Sequence, residues 1–269
     1  MENMQDSIKK NLSRFGIESS KRDSEKCPEC NYGRRITIVV NGEEKTYCRY
    51  CENQKLAKQL NVSLSEKEKK RNALLDKIKY FDRVPNDLRH VKLNDYIAET
   101  IEQKRAKEIA KNFIWYFDKE KSLVLSGDPG VGKSHIAVSI KKALSDKYTT
   151  LFLKTTELLA FVRQTYDGAT HTEQDVFNVC RDVDLLVLDD LGAEYVKQND
   201  NESWASDILY RVLDSRLGKS TIVTTNYTES GLKEKFGLNG ERIVSRMHDK
   251  ATAIRIIGKD RRKENNVRM

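Results

Sequence analysis

No stretch of this chain approaches the roughly 18 consecutive apolar residues of a membrane-spanning helix. Residues 1–16 are charged and polar where a secretory signal would be apolar. The expected setting is therefore the cytoplasm, with no membrane partner. Internal repeats and low-complexity tracts are also missing, which leaves no solenoid and no biased tail to explain. The 4 histidines, at positions 90, 135, 171 and 248, are scattered and suggest no second metal centre. In a reducing compartment the 5 cysteines are expected as thiols or metal ligands, and not as disulfides.

What is present fits a folded protein with an appendage. A chain of 269 residues accommodates one substantial domain and a smaller one. Its 38% apolar content suits a modest core, and its 33% charged content suits a well-solvated surface. The net charge of +8 and pI near 9.1 favour a polyanionic partner such as nucleic acid.

Along the chain, residues 2–15 can form a short amphipathic helix with Ile8, Leu12 and Phe15 on one stripe. Residues 35–40 and 43–47 flank Asn41-Gly42, a strong signal for a tight hairpin turn. Residues 55–83 carry nine Lys or Arg against four Asp or Glu, which marks a basic helical connector. Strands are expected at 122–126, 150–154, 184–189, 221–225 and 252–257. Helices are expected at 98–117, 133–146, 156–166, 203–217 and 240–249. Strands alternating with helices predict an α/β fold with a five-stranded parallel sheet covered on both faces. The expected domains are residues 1–54, the connector 55–83, and the α/β domain 84–269.

The strand 122–126 runs into Gly127-Asp128-Pro129-Gly130-Val131-Gly132-Lys133-Ser134, a full Walker A sequence opening a helix. Its glycines allow the backbone turns that aim successive N–H groups at phosphate oxygens, and the helix N-terminus adds its positive dipole. Lys133 is the expected ligand of the β- and γ-phosphates, and Ser134 of Mg²⁺; His135 completes the group expected around ATP. Residues 184–190 form an apolar run ending in Asp189 and Asp190, as a Walker B strand does at the C-terminal sheet edge. Asp189 is expected to hold Mg²⁺, and Asp190 to orient or deprotonate the attacking water. Asn226, delivered to the same edge by the strand 221–225, suits a sensor of the γ-phosphate. Arg242 and Arg246, four apart on one helix face, are candidates for an arginine finger reaching a neighbouring subunit. Surface salt bridges are the alternative role for that pair.

Cys27-Pro28-Glu29-Cys30 and Cys48-Arg49-Tyr50-Cys51 have the spacing of a four-cysteine structural zinc site. Two such knuckles supply four thiolates, and the hairpin between them brings the pairs together. A redox dithiol needs only one Cys-x-x-Cys. Cys180 is expected as a small buried apolar residue.

The set across residues 84–269 resembles the DnaC/DnaI helicase-loader group of AAA+ ATPases, which is related to IstB-type transposition helpers. The resemblance lies in Leu-Asp-Asp-Leu-Gly-Ala-Glu at 188–194, Glu-Arg-Ile-Val-Ser-Arg at 241–246 and Gly258-Lys-Asp-Arg-Arg262. Ordinary AAA+ proteins usually carry glutamate where Asp190 stands and continue into a helical lid; here twelve residues follow the expected fifth strand, too few for one. The resemblance implies that residues 91–96 help hold adenine and that 156–182 form a helical insertion contacting single-stranded DNA. It also implies that the zinc module binds a hexameric replicative DNA helicase. Arg34, Arg35 and Arg49 leave a nucleic-acid-binding ribbon as the alternative for that module. Arg261 stands where the family's terminal motif often has an aromatic, so the resemblance gives no sensing role to Arg262.

The function so implied is an ATP-dependent loader of a replicative helicase onto single-stranded DNA, forming a homo-oligomer in the ATP state. Two rivals share the same residues. One is an IstB-like ATPase helper of DNA transposition. The other is a phage decoy that binds and inhibits a host loader or helicase.

Overall fold

The computed structural model describes residues 17–30, 33–167, 170–194 and 204–262. The helix expected over residues 2–15 lies outside them. Two compact units divide between Asn72 and Ala73.

In the first unit, β1 (Ile17–Lys26), β2 (Arg34–Val40) and β3 (Glu43–Cys48) form an antiparallel sheet in that order. The expected hairpin is present. Asn41 and Gly42 have φ of 51° and 77°, the paired left-handed turn whose twist matches its flanking strands. β1 has no counterpart in the sequence reading, because a run such as Ser-Ser-Lys-Arg-Asp shows no alternation of apolar and polar residues. Its conformation comes from pairing with β2, where Ser20 stands opposite Ile38 and Lys21 opposite Thr37. The long helix α1 (Arg49–Phe81) starts at the second cysteine pair and covers the expected connector, residues 55–83, as far as Phe81.

The second unit takes in the end of α1 from Ala73, α2 (Ile101–Trp115), β4 (Ser122–Gly127), α3 (Lys133–Leu144), β5 (Thr150–Lys154) and α4 (Thr155–Gln164). There follow α5 (Glu173–Asp182), β6 (Leu185–Leu191), α6 (Trp204–Asp214), β7 (Thr221–Thr225), α7 (Glu229–Phe236), α8 (Gly240–Met247) and β8 (Ala251–Ile256). The five strands lie in the order β5-β6-β7-β4-β8, and every neighbouring pair is parallel. All five expected strands are present within two residues of their expected limits. The segment 156–182 resolves into two helices, α5 being started by a capping box between Thr172 and Asp175. Helix α7 was not legible, since Leu232 and Phe236 are its only buried residues and one such pair defines no period. None of the described helices is long and apolar enough to cross a membrane.

Alternation along the strands divides the core into two layers. Leu123, Leu125, Leu185, Val187 and Ile222 face one layer with α2 and α3. Val124, Leu186, Leu188 and Val223 face the other, with α4 to α8. A strand buried on both faces reads as an unbroken apolar run, as the sequence shows here. Phe81, the last residue of α1, is buried in the second layer, with Leu74 and Ile78 packed against it.

One buried arginine fastens the edge where the strands begin. Arg216 is only 3% exposed, and its guanidinium donates to the carbonyls of Cys180, Arg181 and Val183 and to Ser220. It thus ties the end of α5 to the starts of β6 and β7. Burial draws its pKa down to about 10. Replacing Arg216 with alanine strands several buried carbonyls, and the expected loss is about 3 kcal/mol of stability or more. Urea unfolding of the variant against the wild type measures it; a loss within 0.5 kcal/mol, roughly the level of a neutral surface change, would show that the carbonyls find other partners.

Candidate nucleotide and metal sites

The C-terminal ends of β4, β5, β6 and β7 open into a cleft of about 290 Å³ lined by Walker A residues from Pro129 to Ser134 other than Val131, and by Asp189, Asp190 and Asn226. This is the edge at which open parallel sheets bind ligands. Gly127 ends β4, and the turn through Asp128, Pro129, Gly130, Val131 and Gly132 delivers Lys133 and Ser134 to the first turn of α3. Gly132 has φ of 97°, and a Cβ there would lie 2.4 Å from the Tyr96 ring, so both backbone and space require glycine. The Tyr96 hydroxyl donates to the Val131 carbonyl at 2.9 Å and supports the turn from below. His135 meets the Lys92 carbonyl at 3.0 Å and also lines the cleft.

Lys133 is 6% exposed, and its ammonium donates to the carbonyls of Gly127 and Asp128, both at 2.8 Å, and to Asn226 Oδ1 at 2.7 Å. Burial lowers its pKa, while Asp190 and Asp189 act in the opposite direction. Asp189 is 2% exposed, and its Oδ1 accepts from Ser134 Oγ and from Thr224 Oγ1, each at 2.7 Å. Burial raises its pKa against those two donors. The adjacent oxygens of Ser134 and Asp189 are the hard donor set that suits Mg²⁺. Asp190 accepts from Asn226 Nδ2 at 2.9 Å. Its backbone is left-handed, with φ of 61°, a conformation that costs free energy outside glycine and recurs at functional sites. Two threonines hold it: Asp190 N donates to Thr224 Oγ1 at 2.9 Å, and Thr155 Oγ1 donates to the Asp190 carbonyl at 3.1 Å.

The structure therefore brings Lys133, Ser134, Asp189, Asp190 and Asn226 into one hydrogen-bonded group. It adds residues that sequence reasoning missed. Thr224 carried a readable signal, a polar side chain inside a buried strand. Lys154, which no spacing marked, also lines the cleft, as do Arg261 and Arg262 of the terminal motif, to which the sequence reading gave no role at the site. Arg261 stacks over the Tyr96 ring at 4.7 Å and bonds to the Ile97 carbonyl, which lays the segment after β8 across the P-loop. Of the segment 91–96, Tyr96 enters the core, and the apolar wall of the cleft comes instead from Pro85 and Leu88. Glu194 does not line the cleft; it is buried, accepts from Thr155 and Gly192, and burial raises its pKa.

Arg242 and Arg246 share a face, each lying 5.8 Å from the Tyr210 ring, but neither lines the cleft. Arg246 Nε pairs with Asp214 Oδ1 at 2.9 Å. Ile243, Val244 and Met247 turn into the core. Cys180 is fully buried, and burial pushes its thiol up to about 12.

In the first unit, Cys27, Cys30, Cys48 and Cys51 place all four sulfurs within 4.8 Å of one another. Cys27 and Cys51 sulfurs are 4.0 Å apart, and those of Cys30 and Cys48 3.7 Å. A tetrahedron with Zn–S bonds of about 2.3 Å has edges of roughly 3.8 Å, so the spacing fits a four-thiolate ion. Gly33 N donates toward Cys30 Sγ at 3.4 Å, and a Cβ on Gly33 would come within 2.6 Å of Cys48 Sγ.

A parallel sheet in this order, with the phosphate turn after β4, which lies between β7 and β8, and paired aspartates on β6, defines a P-loop nucleotide-binding protein of the AAA+ type. Comparison with known proteins makes it narrower. The chain belongs to the family of IstB-like ATP binding proteins, whose profile matches residues 49–268. The replicative helicase loader DnaC of Escherichia coli K12 is 28% identical over 155 residues, covering 57% of this chain. The match spans 61% of that relative's length. Among solved structures, the DnaC helicase loader superposes with a TM-score of 0.56 at 27% identity, over 64% of this chain and 100% of that one. DnaI shares the fold, with a TM-score of 0.56 at 23% identity over 66% of this chain and 94% of its own.

The tightest test of the cleft is its lysine. Lys133→Ala is expected to weaken ATP binding by about tenfold or more, through loss of a charge-assisted phosphate contact. Equilibrium titration with a fluorescent ATP analogue reads this directly, and an unchanged affinity would remove Lys133 from the phosphate site.

Proposed function

We propose that this protein is an ATP-hydrolysing loader of a hexameric replicative DNA helicase onto single-stranded DNA. The observation that carries the proposal is the pairing, in one chain, of a complete phosphate site with a four-cysteine module, alongside the likeness to DnaC. Lys133 and the P-loop amides hold the phosphates of ATP, and Ser134 and Asp189 hold Mg²⁺. Asp190, kept in place by Asn226, orients the attacking water. Aspartate is one methylene shorter than glutamate, which suits slow turnover and a switch more than a motor. The four cysteines hold a structural zinc. Among the described residues of the first unit only Cys27 and Cys48 are buried, so without the ion that unit has almost no core.

The module, residues 1–54 with the connector 55–83 behind it, serves as the docking element for the helicase. The ATPase domain, residues 84–269, forms a homo-oligomer in the ATP state and holds the DNA. A second reading is supported by the family description itself: an IstB-like helper that presents target DNA to a transposase. Pull-down from the native cell with full-length protein and ATP separates the two. Recovery of the replicative helicase supports the loader, whereas recovery of a transposase without the helicase sinks it.

Metal analysis of protein purified without chelator is expected to give about one zinc per chain, lost in a Cys48→Ser, Cys51→Ser variant. A folded first unit with no metal would refute the assignment.

Arg246, assisted by Arg242, is proposed to act on the nucleotide of a neighbouring subunit after leaving Asp214. Arg246→Ala is then expected to spare ATP binding and to lower assembled ATPase activity by about a hundredfold or more. Mixing it with Lys133→Ala should restore part of the activity, because one chain supplies the pocket and the other the arginine. No recovery in a mixture shown to co-assemble would eliminate the trans role.

A further inference from the structure

The cleft holds a cation that the mechanism above leaves unused. Lys154 is the last residue of β5 and stands in register with Asp189 on β6. It is half-buried and lines the cleft together with Lys133, Asp190 and Asn226. Lys133 and Arg261 are tied to carbonyl oxygens, and Arg262 is exposed. Among the described residues, the Lys154 ammonium makes no hydrogen bond or salt bridge, and its one interaction is electrostatic, with Asp189. Asp189 is its nearest register partner, but Oδ1 of that carboxylate already accepts from Ser134 and Thr224. Asp189 senses Lys154 as a neighbouring positive charge that favours its ionised form.

An ammonium partly withdrawn from water, beside a carboxylate one of whose oxygens is already taken by two hydroxyls, carries a desolvation cost that is only partly offset. The cost is recovered when an anion enters the cleft. Asp189 and Asp190 mark the end of the cleft where the terminal phosphate and the attacking water belong. Lys154 sits on the neighbouring strand at that same end. A strand terminus in a rigid sheet also fixes a charge better than a loop does.

We infer that Lys154 is a second ligand, from within the same chain, of the terminal phosphate of ATP. It makes the pocket discriminate triphosphate from diphosphate. It also supplies part of the transition-state charge stabilisation before any neighbouring arginine arrives. The role rests on the ATPase function proposed above.

The test compares wild type, Lys154→Met and Lys154→Arg as full-length proteins with Mg²⁺. Affinities for a fluorescent non-hydrolysable ATP analogue and for the matching ADP derivative are measured by anisotropy. In Lys154→Met the triphosphate affinity should fall by about tenfold or more, with ADP affinity changed by less than about twofold. Lys154→Arg should keep most of the discrimination. At saturating ATP, kcat of the methionine variant should fall by roughly a hundredfold. An unchanged triphosphate-to-diphosphate ratio overturns the proposal, even where the melting temperature falls, because Lys154 would then be only a counter-charge to the aspartates. Equal weakening of both ligands overturns it too. Should Lys154→Met fail to fold, Lys154→Gln is read by the same ratio. A wild type that binds neither nucleotide refutes the ATP reading itself, and this role with it; a wild type that binds but never hydrolyses still yields the ratio.

Discussion

The phosphate site depends on a carboxylate kept out of water. Asp189 lies at the end of a strand buried on both faces, where an unpaired anion would be expensive. The hydroxyls of Ser134 and Thr224 converge on one of its oxygens. Those two donors come from the helix after the P-loop and from β7, so satisfying one buried charge brings three separate chain segments to a common point. Thr224 also accepts from the Asp190 amide, which steadies a backbone conformation that aspartate adopts at a cost. Disturbing Thr224 would therefore affect the proposed metal ligand, Asp189, and the proposed water-orienting acid, Asp190, together.

The rest of the second unit supports that edge. Side chains alternate across the sheet, so each strand feeds both core layers and cannot shift by one residue without exposing an apolar set. At the opposite edge Arg216 gathers the carbonyls around the strand starts, doing there with donors what Asp189 does at the site with acceptors. The segment after β8 crosses the P-loop, and Arg261 joins it to Tyr96, which itself supports the turn. The cleft lining thus draws on both the turn after β4 and the segment that follows the last strand.

The first unit follows a different physical logic. Three strands with no buried side chain besides two cysteines among the described residues offer little hydrophobic stabilisation, so the proposed metal coordination would take the place of a core. A module built around the proposed ion would suit partner recognition and not catalysis. That division of labour is what the loader proposal uses: one unit to recognise, the other to bind ATP and switch.

Sequence by itself determined the features written in short covalent spacings. The eight-residue phosphate turn, the two Cys-x-x-Cys knuckles, the Asn41-Gly42 hairpin and the five apolar strands were all legible, because each depends on residues close along the chain. Asp189, Asp190 and Asn226 were legible as well, since they end strands whose pattern was plain. Only the tertiary structure decided the rest. Polar β1 is a strand because β2 supplies its hydrogen-bonding partners, and α7 is a helix because α8 and the core cover its single apolar pair. Lys154 joins the site from a strand that no spacing relates to the P-loop, and only the folded chain places Thr224 against Asp189 and Arg261 over Tyr96. Arg246 was legible as a cation on a helix face, but its pairing with Asp214 was not. The physical reason is common to all of these. A local motif carries its geometry in its own backbone, whereas a contact between distant segments exists only once the core has brought them together.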